Sequence, residues 1–153
     1  MLVSSSGWKS MRLLLATLVL SFIGCHRAPE RVHFVLPDGF RGVFGIWADD
    51  PEGTELRTTD GRYVIHIPES GVLKMTGHDP FSSFLETASF ANGDVIWVST
   101  KLGDSPPPGA IGLWGTVTAS APGAAGSRAI NVFYWFVGTE AEFRMRKSST
   151  GAE

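Results

Sequence analysis

"RAINVFYWFVG", residues 128–138, contains an unbroken apolar run from Val132 to Val137. A strand with one wet face alternates apolar and polar residues, so this run fits a central strand covered on both faces. Working outward from it, the chain repeats one grammar: short strands rich in β-branched and aromatic residues, separated by turn signals. "RVHFVL" (31–36) sets Val32, Phe34 and Leu36 against His33 and Val35, and the proline-led turn "PDG" (37–39) follows. "RGVFGIWA" (41–48) resumes and stops at the turn "DDPEG" (49–53). In "TELRTTDGRYVIHIP" (54–68) the Asp60-Gly61 pair predicts a tight hairpin, with Tyr63, Ile65 and Ile67 on one face and His66 on the other. "ESGVLKM" (69–75) restarts after Gly71, and "FLETASFANGDVIWVST" (84–100) turns at Asn92-Gly93. Three consecutive prolines keep "KLGDSPPPGA" (101–110) out of a strand interior and make it a surface loop. "IGLWGTVTA" (111–119) then leads across the small-residue loop "SAPGAAGS" (120–127) back to the opening strand.

Turns at such short intervals, with no long amphipathic helical pattern to compete, predict an all-β fold. The expected architecture is a small antiparallel β-sandwich, or a partly open barrel, over residues 32–147. The end of that range, "TEAEFRMRK" (139–147), has two readings. Thr139 and Glu142 form a capping box, and Glu140/Arg144 and Glu142/Arg146 fall at helical spacing. Ala141, Phe143 and Met145 alternate with charges as an edge strand would. The short helix is the favoured of the two, and residues 148–153 read as a flexible tail.

Composition bounds the rest. The 153 residues suffice for one domain, and 43% hydrophobic with 18% charged residues is the balance of a globular chain. Lys9 and Arg12 precede residue 25; without them 11 basic and 15 acidic residues remain, a charge of −4. That mildly acidic balance contains no basic block to neutralise phosphates, so no nucleic-acid partner is expected. The one cysteine cannot form an internal disulfide or a paired-cysteine zinc site.

Residues 1–24 read as an export signal. "MLVSSSGWKSMR" carries Lys9 and Arg12 and no acid, and the apolar-to-small run from Leu13 to Gly24 has the length of a signal-peptide core and is too short to span a bilayer. "FIGC" (22–25) resembles a bacterial lipobox, in which a small residue, here Gly24, precedes a cysteine that is lipidated and becomes the mature N-terminus. Phe22 stands where leucine is commonest. A buried core thiol or the end of an uncleaved anchor competes with this reading of Cys25. Acyl chains contribute about 0.8 kcal/mol per buried methylene, and two or more of them anchor stably. The resemblance therefore implies cleavage between Gly24 and Cys25 and a chain held to the bacterial cell envelope by its lipid, facing outside the cytoplasm. Residues 25–31, Cys25 followed by "HRAPER", form the lipidated N-terminus and tether.

"LPDGFRGVFGIW", "DGRYVIHIPESGVLKM" and "FYWFVGTEAEF" together are similar to a family of small bacterial lipoproteins. Their rhythm also looks like transthyretin-like and carboxypeptidase-regulatory-like sandwich modules. Such modules package a core and carry no chemistry, so the resemblance supplies no catalytic positions.

The chemistry-bearing motifs agree with that. No G-x-S-x-G elbow, H-E-x-x-H helix, P-loop or G-x-G-x-x-G is present, and no catalytic residue, metal ligand or cofactor site is assigned. His78 and Asp79 in "TGHDPF" could form an acid-base or metal pair, and Asp49, Asp50 and Glu52 an oxygen-ligand turn for calcium; a solvated loop is the simpler account of each. Trp47, Trp97, Trp114 and Trp135 lie in expected strands, where core packing is commoner than ligand contact. The expected function is a non-catalytic binding or assembly module near the membrane. An envelope protein or glycan is its expected partner, and loops 49–53, 76–83 and 101–110 are free to specialise. The alternative is an envelope enzyme, metal-assisted, built on the His78/Asp79 loop.

Overall fold

The computed structural model describes residues 30–77, 80–82, 84–99, 104–121 and 129–149. Ten strands form one sheet: β1 (Glu30–Leu36), β2 (Gly42–Ala48), β3 (Thr54–Glu55), β4 (Thr58–Thr59), β5 (Arg62–His66), β6 (Val72–Thr76), β7 (Phe84–Phe90), β8 (Val95–Val98), β9 (Gly112–Ala121) and β10 (Ile130–Gly138). Their order in space is β3-β6-β2-β10-β9-β8-β7-β1-β5-β4. The helix α1 (Glu140–Ser149) follows. The fold is all-β, a curled open sheet rather than two separate ones. The terminal strands β3 and β4 are joined by only Leu56 and Arg57, so the chain itself spans the seam.

The curl brings β1 against β2 and β10. Phe34 lies 5.4 Å from Phe44 and 4.9 Å from Trp135, and Trp135 stacks on Phe44 at 5.2 Å. Phe81, from the 3-10 turn Pro80–Ser82, packs on Phe133 at 4.9 Å and Trp135 at 5.4 Å. The alternation in β1 does what the sequence requires: Val32, Phe34 and Leu36 are buried and His33 and Val35 half-buried. Ile65 and Ile67 are buried with them, and Tyr63 packs against the same cluster.

Both expected tight turns are present. Asp60 and Gly61 take positive φ (51° and 70°), the conformation of a two-residue hairpin, and pair Thr59 with Arg62. Gly93 (φ 93°) turns β7 into β8. Pairing direction differs from the antiparallel expectation. The pairs β10–β2, β10–β9, β4–β5 and β7–β8 are antiparallel, whereas β1–β5, β1–β7, β2–β6, β3–β6 and β8–β9 are parallel. The reason is connectivity. After β1 the chain crosses to β2 and β3 in the opposite half, returns as β4 and β5, crosses again to β6 and returns as β7. Parallel neighbours cannot be joined by a hairpin, and these excursions supply the crossovers that β1–β5, β1–β7, β2–β6 and β3–β6 need.

Two boundaries shift. β1 begins at Glu30, so Glu30 and Arg31, read as tether, are strand; α1 runs to Ser149, into the expected tail. Residues 139–147 are helical rather than an edge strand because the capping box forms. The Thr139 N–H donates to Glu142 Oε2 at 2.7 Å and the Glu142 N–H to Thr139 Oγ1 at 3.3 Å. Arg144 pairs with Glu140 as expected, whereas Glu142 turns to Arg41, just before β2, at 3.0 Å.

Candidate functional site

The apolar run Val132 to Val137 of β10 is covered on both sides, but unequally. Phe133, Trp135 and Val137 enter the core, while Tyr134 and Phe136 point outward and are half-buried. A Cβ on Gly45 would lie 2.9 Å from the Tyr134 ring, so the glycine is what lets that ring lie flat across β2. On the other neighbour, β9, the register slips between Tyr134 and Phe136. Two residues, Gly115 and Thr116, oppose the single Trp135, a bulge for which Gly115 supplies the positive φ of 51°. The extra residue sets Trp114 opposite Phe136 and Val117 opposite Tyr134, so both face outward.

α1 crosses this outer face. Phe143 stacks on Trp114 at 5.3 Å and lies 6.1 Å from Phe136, and Trp97 extends the row 5.4 Å beyond Trp114. The Trp114 Nε1–H donates to the Gly138 carbonyl at 2.8 Å. Glu142 fastens the start of the helix, and its carboxyl is held below the ordinary range by the Thr139 N–H first, then the Thr139 hydroxyl and Arg41. Yet none of α1's own residues is fully buried. Beside it a groove of about 540 Å³ runs between helix and sheet, walled by Trp114, Val117, Tyr134, Phe136 and Phe143, with Arg146 and Lys147 at its rim. Gly115 lies in its wall, where a Cβ would meet the Phe143 ring at an ordinary contact distance of 3.7 Å; the glycine is required by its positive φ of 51°. Val117, in its wall, is 66% exposed.

The sequence-predicted sites fare differently. Gly24, Cys25, His78 and Asp79 lie outside the described residues. Asp50 is buried, but its carboxylate is occupied by the Glu52 N–H at 2.9 Å and by Lys74 Nζ at 3.1 Å. The backbone donor first, and then Lys74, hold it below the ordinary range. The turn is a clasp onto β6. Among the described residues no group of three His, Cys, Asp or Glu side chains comes together, and no helix is long and apolar enough to cross a membrane. Of the four strand tryptophans only Trp135 is a core residue; Trp47, Trp97 and Trp114 are half-buried on the outer face. Pro106 to Ala110 of the "SPPPGA" segment and Thr139, Glu140 and Ala141 at the start of α1 line one small cavity of about 320 Å³.

The bulge is what the sequence reading missed. Gly115 between Trp114 and Val117 was its only signal, and an isolated glycine in a strand pattern marks such a device. Inside the sheet, one more polar group stands out. Glu86 on β7 faces inward, its Oε2 accepting from Trp135 Nε1 at 3.0 Å, and burial pushes its carboxyl above the ordinary range.

No family model matches the chain, and no curated protein matches it. Among solved structures, the chain is similar to one described as a "Putative Lipoprotein from Bacillus anthracis", with a TM-score of 0.46 and 12% identity over 80% of this chain and 92% of that one. A likeness of this size carries no function across.

Proposed function

We propose that this chain is a membrane-anchored bacterial envelope lipoprotein, facing outside the cytoplasm, whose curled sheet is a non-catalytic binding module for amphiphiles with an apolar body and an anionic head. The address rests on the sequence: a basic leader, a short apolar core and Gly24-Cys25 at its end. The observation that carries the binding role is the groove beneath α1. Its volume of about 540 Å³ falls in the range of small-molecule sites, its walls are aromatic and aliphatic, and its charged groups are two cations at the rim. An apolar body would displace water from the Trp114, Phe136 and Phe143 faces, and a carboxylate or phosphate head would meet Arg146 and Lys147.

Titration with laurate, dodecanol and dodecyltrimethylammonium, followed by tryptophan fluorescence, tests the module. Laurate is expected to bind about tenfold tighter than dodecanol, a charge-assisted contact being worth roughly 1.5 kcal/mol. Val117→Trp, which fills the groove, is expected to abolish binding. Equal affinity for the three probes, or binding that survives Val117→Trp, sinks the reading. The address is tested by fatty-acid labelling in cells. Cys25 should take up the label and Cys25→Ala should not; equal labelling removes the anchor.

A further inference from the structure

The opposite outer face carries a different chemistry. β1, β5 and β7 are mutually parallel, so their first outward residues lie in one row: Arg31 is in register with Arg62 on one side and with Leu85 on the other. Further up the same face stand His33 and His66. Among the described residues of β4, β5, β1, β7 and β8, no outward position holds an aspartate or glutamate. Glu30 and Glu86 fall on the inward side of their strands, and Asp60 lies in the turn between β4 and β5. The chain beyond the leader is acidic, at 11 basic against 15 acidic residues, so this face is cationic against the charge of the rest.

Like charges set directly opposite on neighbouring strands destabilise a sheet, and here Arg31 and Arg62 are so placed. The His33 imidazole is held below its usual range by burial first, and then by Arg62 and His66. Beside them Leu85 leaves 60% of its surface in water. Two cations flanked by an exposed aliphatic side chain is a pattern suited to headgroup phosphates and the boundary beneath them. Position supplies the partner. Cys25 precedes Glu30 by five residues, at most about 18 Å of extended chain, and the Arg62-Arg31-Leu85 row is at the end of the sheet where that tether enters.

Resting on the anchor proposed above, we infer that the Arg62-Arg31-Leu85 row docks on anionic lipid headgroups of the same membrane that holds Cys25. The docked pose turns this end of the sheet to the bilayer.

The test uses the full lipidated chain in vesicles of phosphatidylcholine alone and of phosphatidylcholine mixed with phosphatidylglycerol. Acylation consumes the Cys25 thiol, so in Leu85→Cys or Met145→Cys the new cysteine is the one thiol open to a polarity-sensitive dye. The label at 85 should shift to the blue in the mixed vesicles only, and the label at 145, on α1, in neither. Arg31→Gln with Arg62→Gln should lower the ratio of docked to undocked chains roughly 25-fold, about fivefold for each arginine near an anionic surface. About 1 M salt, with a screening length near 3 Å, should reverse the shift. Equal shifts in both vesicles, or no response to the double substitution, overturn the proposal. A shift with a soluble acidic polysaccharide but not with anionic vesicles overturns it in favour of a glycan. Floating with both vesicles without any shift at 85 overturns the docked face alone; floating with neither removes the anchor and this proposal with it.

Discussion

Two aromatic clusters lie back to back across β10. On its inner side Trp135 meets Phe34, Phe44 and Phe81, closed in by the neighbouring β2 and, from across the curl, by β1 and the 3-10 turn. On its outer side Phe136, with Trp114 and Phe143, is covered by one helix and left half-buried. The residue types match and the enclosure does not. What separates a core from a binding surface here is the number of elements around the rings, and β10 serves both because successive side chains point to opposite faces.

The largest expected effect breaks the inner cluster. Trp135→Ala should cost about 3–5 kcal/mol in denaturant unfolding, because the emptied volume is lined by rings held on separate strands that cannot collapse together. It also leaves Glu86 without its indole donor, which adds to the loss. Phe143→Ala on the outer side should cost less than about 1 kcal/mol globally, as solvent already reaches that ring. Equal costs for the two substitutions would show that the clusters are one core.

Of intermediate size is the loss of the cap. Thr139→Ala should weaken the start of α1 by about 1 kcal/mol. Hydrogen exchange should quicken for amides of α1 and stay unchanged in β10 and β2, since the helix opens as a local unit. Concerted acceleration across the sheet would mean that α1 is part of the global fold and not a cover laid over the groove.

Both clusters were partly legible in the sequence, for different reasons. Period-2 alternation in "RVHFVL", the Asp60-Gly61 pair and the unbroken "VFYWFV" run are local signals, and local signals located the strands and hairpins. The parallel pairing of β1 with β5 and β7 depends on the chain crossing between halves, which no short window contains. The outer cluster was hidden for a related reason. Trp114 and Val117 share a face only because Gly115 and Thr116 bulge, and a strict alternation places them on opposite faces. Of the helix, the capping pair Thr139/Glu142 was readable, whereas the Arg41 contact that fastens Glu142 joins residues 101 positions apart.

The smallest effect sharpens the comparison through pH, because each cluster contains one displaced carboxylate and the displacements are opposite. Glu86, beside Trp135, is pushed up by burial; its contribution is fully present below the ordinary glutamate range and is lost as pH rises through its raised value. Glu142, at the root of α1, is pulled down by the Thr139 donors and Arg41; its contribution is present above the ordinary range and is lost as pH falls through its lowered value. Acidification should therefore tighten the interior while loosening the helix. Glu86→Gln retains an acceptor for the indole, so it should be more stable than the parent at alkaline pH, the difference shrinking toward acid. Glu142→Gln should show the reverse: α1 amides exchange faster than in the parent at neutral pH, and the two proteins converge as pH drops. Unfolding curves and hydrogen exchange across the acid-to-neutral range read both. If the two variants depart from the parent in the same direction, the inner and outer clusters do not answer to separate carboxylates and the division drawn between them fails.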